Sequence, residues 1–101
     1  MFAMEVEKKD RELILTIEGM IDSTTSDQFA AKAEEVLLQK PAALLLDFGK
    51  VDYISSAGFR ILFMLAKEMK KNEGRLTARN VNDEIKNLFT MVHIDRVMEV
   101  E

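Results

Sequence analysis

The sequence predicts a small α/β domain: one mixed sheet of four to five strands, opened by an N-terminal hairpin, with helices packed mainly on one face. Three observations carry this. Two period-2 runs stand at the start, Phe2, Met4 and Val6 alternating with Ala3, Glu5 and Glu7, then Leu13, Leu15 and Ile17 alternating with Ile14, Thr16 and Glu18. A continuous apolar run, AALLLDF (42–48), lies between Pro41 and Gly49, too short for a helix and apolar enough for a central, parallel strand. Stretches of helical periodicity then alternate with strand-like ones, giving the order β-β-α-β-α-β-α-(β), the pattern of a layered sheet with right-handed crossovers.

Each element has a local cause. KKDR (8–11) is a polar turn between the first two strands, and Gly19 is expected to end the second. IDSTTSDQF (21–29) leads into a helix: Thr25 and Gln28 have capping-box spacing, and Asp27 places negative charge near the positive end of the helix dipole. Phe29, Ala33, Val36 and Leu37 then share one helix face, and Pro41 stops the helix near Lys40. After DYISSAG (52–58) a second helix is expected over about 57–72, closed by Asn72 and Gly74. RLTAR (75–79) is a strand. Asn82 caps a third helix with Ile85, Leu88, Phe89 and Val92 on one face, and RVMEV (96–100) is a short final strand or extended tail.

The 101 residues make one domain, 1–101, without repeats or linkers. A hydrophobic fraction of 48% with 32% charged residues is the balance of a globular chain. There is no cysteine, which excludes disulfides, thiolate metal sites and thiol catalysis. MFAMEVEKKD is charged by its fifth residue, unlike a signal peptide, and no apolar run approaches the roughly 18 residues of a membrane span. A cytoplasmic protein without a membrane partner is the expectation. The net charge of −4 argues against direct nucleic-acid binding, because KEMKK (67–71) is diluted by Glu68 and Glu73 and reads as a solvated helix face.

No constellation points to an enzyme or to a bound metal or cofactor. The lone His93 lies at the end of the third helix without ligands at metal spacing, so a capping or packing role is expected. The four glycines, 19, 49, 58 and 74, are isolated and form no phosphate loop. Ser55 and Ser56 have no evident base, and one of them N-caps the second helix. Asp47, at a strand end, raises a phospho-receiver alternative, but only Glu18 and Asp22 are available for its magnesium pocket. On the second helix, Leu62, Leu65, Ala66 and Met69 share the buried face. Phe63 and Met64 fall among Arg60, Lys67, Lys70 and Lys71, as a protein-binding patch or as isolated exposed side chains. Gly58 in the first turn suggests a close approach to the backbone there.

These residues bring a resemblance into view. LTIEGMIDSTTSDQFAAKAEEVL together with the chain from LLLDFGKVDYISSAGF onward resembles a STAS domain, specifically the bacterial anti-sigma factor antagonists, and the likeness spans nearly the whole sequence. In that family a strand ending in Asp is followed by a loop of the type Asp-Ser-Ser/Thr-Gly, whose serine two residues before the glycine is phosphorylated. Aligned through Gly58, the resemblance implies Ser56 as phosphoacceptor with Ser55 as a secondary candidate. Asp22 and Asp47 match the first-loop and strand-end aspartates. Ser55 replaces the family's acid and Ala57 its second hydroxyl residue. The implied partner-binding surface is Asp22, Asp47, Ser55, Ser56, Ala57, Gly58 and Phe59, with Phe63 and Met64 added from the helix pattern.

The implied function is partner switching. The unphosphorylated chain binds an anti-sigma factor that is also a serine kinase, so releasing a sigma factor. Phosphorylation ends the binding and a serine phosphatase resets it. ATP and Mg²⁺ would belong to the kinase, and the chain itself would need no cofactor and be a monomer or weak dimer. The alternative is a STAS scaffold or regulatory subunit that binds without phosphorylation.

Overall fold

The computed structural model describes residues 1–101. Strand β1 (Ala3–Lys9) turns through Asp10 and Arg11 into β2 (Glu12–Ile21). The chain then alternates through α1 (Ser26–Leu38), β3 (Ala43–Ile54), α2 (Ser56–Lys71), β4 (Arg75–Arg79) and α3 (Asp83–Met91). One 3₁₀ turn (Ile94–Arg96) leads to β5 (Glu99–Val100). The strands lie in sequence order, β1 antiparallel to β2 and every later pair parallel. Because the three crossovers all advance in one direction, their usual right-handedness places all three helices on one face. The central position of β3 follows from its apolar start, as Leu44, Leu46 and Phe48 are all buried.

The core lies between that face and the helices. Leu13, Leu15 and Ile17 of β2 and Leu76 and Ala78 of β4 face Phe29, Ala33 and Val36 of α1 and Leu62, Leu65 and Met69 of α2 in one cluster. Phe89 of α3 meets both Phe48 and Phe59 edge-on, with ring centroids 5.6 Å apart in each case, which ties α3, β3 and α2 together. No polar residue is buried. The opposite face of the sheet carries no helix; its cross-strand rows are polar in Glu5–Thr16–Asp47–Arg79 and mixed in Glu7–Ile14–Leu45–Thr77. At the two edges lie β1, with Glu5, Glu7, Lys8 and Lys9 exposed, and the two-residue β5.

Four local expectations are corrected. Strand β2 does not stop at Gly19: the glycine takes φ +105°, the register with β3 shifts there, and the strand resumes to Ile21. A side chain at that position would also collide with the Met1 carbonyl. Strand β3 continues past Asp47 to Ile54, because two register shifts absorb extra residues of β3. The Thr25–Gln28 capping box does not form. Thr25 holds the N-cap position in a helical backbone conformation, but its Oγ1 donates to the Met20 carbonyl (2.7 Å) and accepts from the Asp22 N–H (3.0 Å). Residues 96–98 belong to the 3₁₀ turn and its exit, leaving only Glu99 and Val100 in β5. His93, exposed and left-handed at φ 62°, follows the last turn of α3 and breaks it away from the 3₁₀ turn.

Candidate functional site at the start of helix α2

Ser55 is the only residue between β3 and α2, so strand and helix leave no loop to spare. Its N–H donates to the Ile21 carbonyl at 2.8 Å, extending the β2–β3 pairing by one bond and fixing where α2 starts. Its backbone is extended (φ −91°, ψ 174°) and its Oγ accepts from the Gly58 N–H at 3.5 Å, a long N-cap bond. The next residue, Ser56, is the first of α2. It is exposed and its hydroxyl has no hydrogen bond within the chain. Two adjacent serines therefore differ: Ser55 is committed to the fold and Ser56 is not.

Ala57 is half-buried and Gly58 buried. A Cβ built on Gly58 would lie 2.7 Å from both Ile21 Cγ2 and Ile54 Cγ1. The close approach expected at this glycine comes from within the fold: its bare Cα lets α2 sit down on the ends of β2 and β3. Phe59 likewise points inward, 7% exposed against Phe89, and positions the helix instead of offering surface.

Asp22 follows Ile21 directly and so lies beside the Ser55–Ser56 step. Its Oδ1 accepts from the Thr24 hydroxyl (2.6 Å) and the Thr24 N–H (2.9 Å), while its backbone N–H and C=O hold Thr25 and Ser26. The Thr24 hydroxyl, then the N–H groups of Thr24 and Thr25, hold the Asp22 carboxyl below the ordinary 3.8. It is a fixed negative charge at neutral pH. The part of Thr24 and Thr25 was not foreseen; the dense Asp-Ser-Thr-Thr-Ser run was the available signal.

Asp47 does not join this group. It pairs with Thr16 while Ile54 pairs with Ile21, so five residues of β2 separate the two levels, about 16 Å. It stands on the helix-free face, where Oδ1 accepts from the Gly49 N–H (2.9 Å) and Asn80 Nδ2 (3.1 Å). That arrangement pins the left-handed turn at Asn80 after β4 and serves the fold. The linear strand order with one-sided helices also differs from the doubly wound arrangement that a phospho-receiver needs. Further along α2, Phe63 is 38% exposed. Met64, expected outside the buried face, is half-buried against the core on the side of α2 away from Phe63.

Ser56, Arg60, Phe63, Lys67 and Lys70 recur at i, i+4, i+7, i+11 and i+14 and form one exposed stripe down α2. Arg96 and Val97 of the 3₁₀ region flank its lower part. Their proximity was not legible, because nothing local says that this turn docks beside α2.

A STAS domain profile matches residues 3–101. The chain belongs to the STAS domain family. This STAS domain is 28% identical over 86 residues to BtrV of Bordetella bronchiseptica, provisionally described as an anti-sigma factor antagonist, covering 85% of this chain and 74% of that protein. Its fold is that of an anti-sigma factor antagonist from Mycobacterium paratuberculosis (TM-score 0.87, 22% identity, covering 99% of this chain and 85% of the other). It also matches SpoIIAA, the Bacillus cell fate determinant. The unphosphorylated form has a TM-score of 0.83 at 18% identity, covering 98% of this chain and 88% of that one. The phosphorylated form has 0.76 at 17%, covering 98% and 91%.

Proposed function

We propose that this STAS domain is an anti-sigma factor antagonist that binds an anti-sigma factor/serine kinase in its unphosphorylated form and is switched off by phosphorylation at Ser56. The observation that carries the reading is the division of labour at residues 55 and 56: Ser55 caps α2, while the Ser56 hydroxyl is exposed and unbonded. Likeness to BtrV and to SpoIIAA, which is known in unphosphorylated and phosphorylated forms, supports it.

The chemistry is consistent with a switch that leaves the fold intact. A phosphate carries a charge of about −1.5 to −2, and the first turn of a helix offers unpaired N–H groups and a positive dipole end. Modification therefore acts on the partner's side of the interface, through charge and bulk added beside the fixed charge of Asp22. Asp47 is too far along the sheet to contribute, since about 16 Å exceeds a Debye length of about 8 Å at physiological salt. ATP and Mg²⁺ enter with the kinase, and a serine phosphatase restores the hydroxyl.

The test is labelling by a kinase fraction from the source cell with ATP and Mg²⁺, followed by phosphosite mapping. Label is expected on Ser56, retained in Ser55→Ala and absent from Ser56→Ala. Partner capture by Ser56→Asp should be lost while its melting temperature stays near that of the parent. No label on Ser56 together with undiminished capture by Ser56→Asp would favour a phosphorylation-independent scaffold.

A further inference from the structure

We propose that the groove between α2 and the 3₁₀ turn is a docking surface for an acidic amphipathic helix of a protein partner. The groove measures about 640 Å³ and is lined by Phe63, Ala66, Lys67, Lys70, Arg96 and Val97. Its apolar part consists of Phe63 and Val97, 38% and 50% exposed, with the buried Ala66 between the turns of α2. Its charged part is of one sign. Lys67, Lys70 and Arg96 line it, Arg60 stands one turn above Phe63, and none of the four lies within 4 Å of a carboxylate. Four unpaired cations around exposed apolar atoms, in a chain of net charge −4, are a local reversal of charge.

The occupant follows from complementarity. Apolar side chains at i, i+3, i+4 and i+7 of a partner helix would cover Phe63 and Val97, and flanking Glu or Asp would meet the lysine and arginine heads. The long basic side chains suit this, since their methylene stems extend the apolar surface while the charged ends stay at its margin. A bilayer surface is the poorer fit, because the apolar atoms lie in a recess between two elements and not on the outermost face of a helix.

The stripe joins this groove to the switch. Arg60 is four residues from Ser56, about 6 Å along the helix, and Lys70 about 21 Å. Resting on the proposed function, a phosphate on Ser56 would lie one turn from Arg60. It would add negative charge to the near end of the basic rim, against the acidic segment that the rim attracts.

The probe is a fluorescein-labelled 15-residue helical peptide with Leu at the i, i+3, i+4 and i+7 positions and Glu beside them, read by anisotropy and by amide shifts on the whole protein. Binding is expected to shift residues 60–70 and 96–97 and to weaken about tenfold when Glu is replaced by Gln, a change of about 1.4 kcal/mol. Phe63→Ala and the exposed double variant Lys67→Glu/Lys70→Glu should each lose about tenfold or more without lowering the melting temperature. Equal affinity for the Gln peptide, shifts elsewhere, or tighter binding to phosphatidylserine vesicles or single-stranded DNA would overturn the assignment. Unchanged peptide affinity in Ser56→Asp would overturn the coupling to the switch, whereas failure of the unmodified protein to bind the peptide overturns the groove itself.

Discussion

Replacing Gly58 by alanine should destabilise the protein, against the rule that alanine improves a helix. In a helix, alanine is favoured over glycine by about 0.5–1 kcal/mol. The opposing cost comes from the two contacts at 2.7 Å, where neither partner is the free end of a flexible side chain. Ile21 Cγ2 and Ile54 Cγ1 branch directly from Cβ, where χ1 is stiff, and both residues are at most 2% exposed. Overpacking of this kind costs about 1–3 kcal/mol, so the net loss should be about 1 kcal/mol, up to 2. For a domain of this size that lowers the melting temperature by about 4–16 °C. Relief of the clash requires α2 to lift from the strand ends, which strains the Ser55–Ile21 bond and moves Ser56. The assay is urea unfolding followed by circular dichroism, combined with the rate of Ser56 labelling. Gly58→Ala with stability equal to or above the parent would refute the packing argument.

Three further outcomes are expected. Ser55→Ala should cost only about 0.5 kcal/mol, because its cap bond is 3.5 Å long, whereas Asn82→Ala should cost about 1–2 kcal/mol, since its Oδ1 accepts the Ile85 N–H at 2.9 Å and its Nδ2 reaches the Val51 carbonyl; parallel denaturant melts compare them. Asp22 should titrate below 3.8 by carboxyl carbon NMR and move upward in Thr24→Val. Since its folded value is depressed, the stability it contributes is present above the unfolded value and fades as pH falls through the folded one, so the order of the 22–26 turn should weaken only in that acid window. Asp47→Ala should lower stability by about 1 kcal/mol through loss of the Gly49 and Asn80 bonds, yet leave partner affinity within about twofold.

The order of elements and most of the core were legible because each element announces itself locally. The alternation in 12–18, the face Phe29–Ala33–Val36, and Leu62–Leu65–Ala66–Met69 needed no long-range information. What escaped was where elements continue through residues that ordinarily end them. Gly49, Lys50 and Asp52 hide the second half of β3, which stays paired with β2 only because β3 itself bulges twice. Ser56 was singled out only through the family resemblance aligned at Gly58, and the reason for that glycine was not legible, since Ile21 and Ile54 meet it only after two strands have come side by side. Asp47 shows the reverse error: its place in a motif suggested proximity to Ser56, and a bulged strand carries it away.

The edges of the sheet constrain how this domain can meet other molecules. A bare strand edge invites any extended peptide to pair with it, a promiscuous and hard-to-reverse mode of association. Here β1 presents Glu5, Glu7, Lys8 and Lys9, and β5 is two residues long. Neither edge is a good template. For the partner switch proposed above, that refusal leaves recruitment to side chains on helices and turns, where a single charge can decide the outcome.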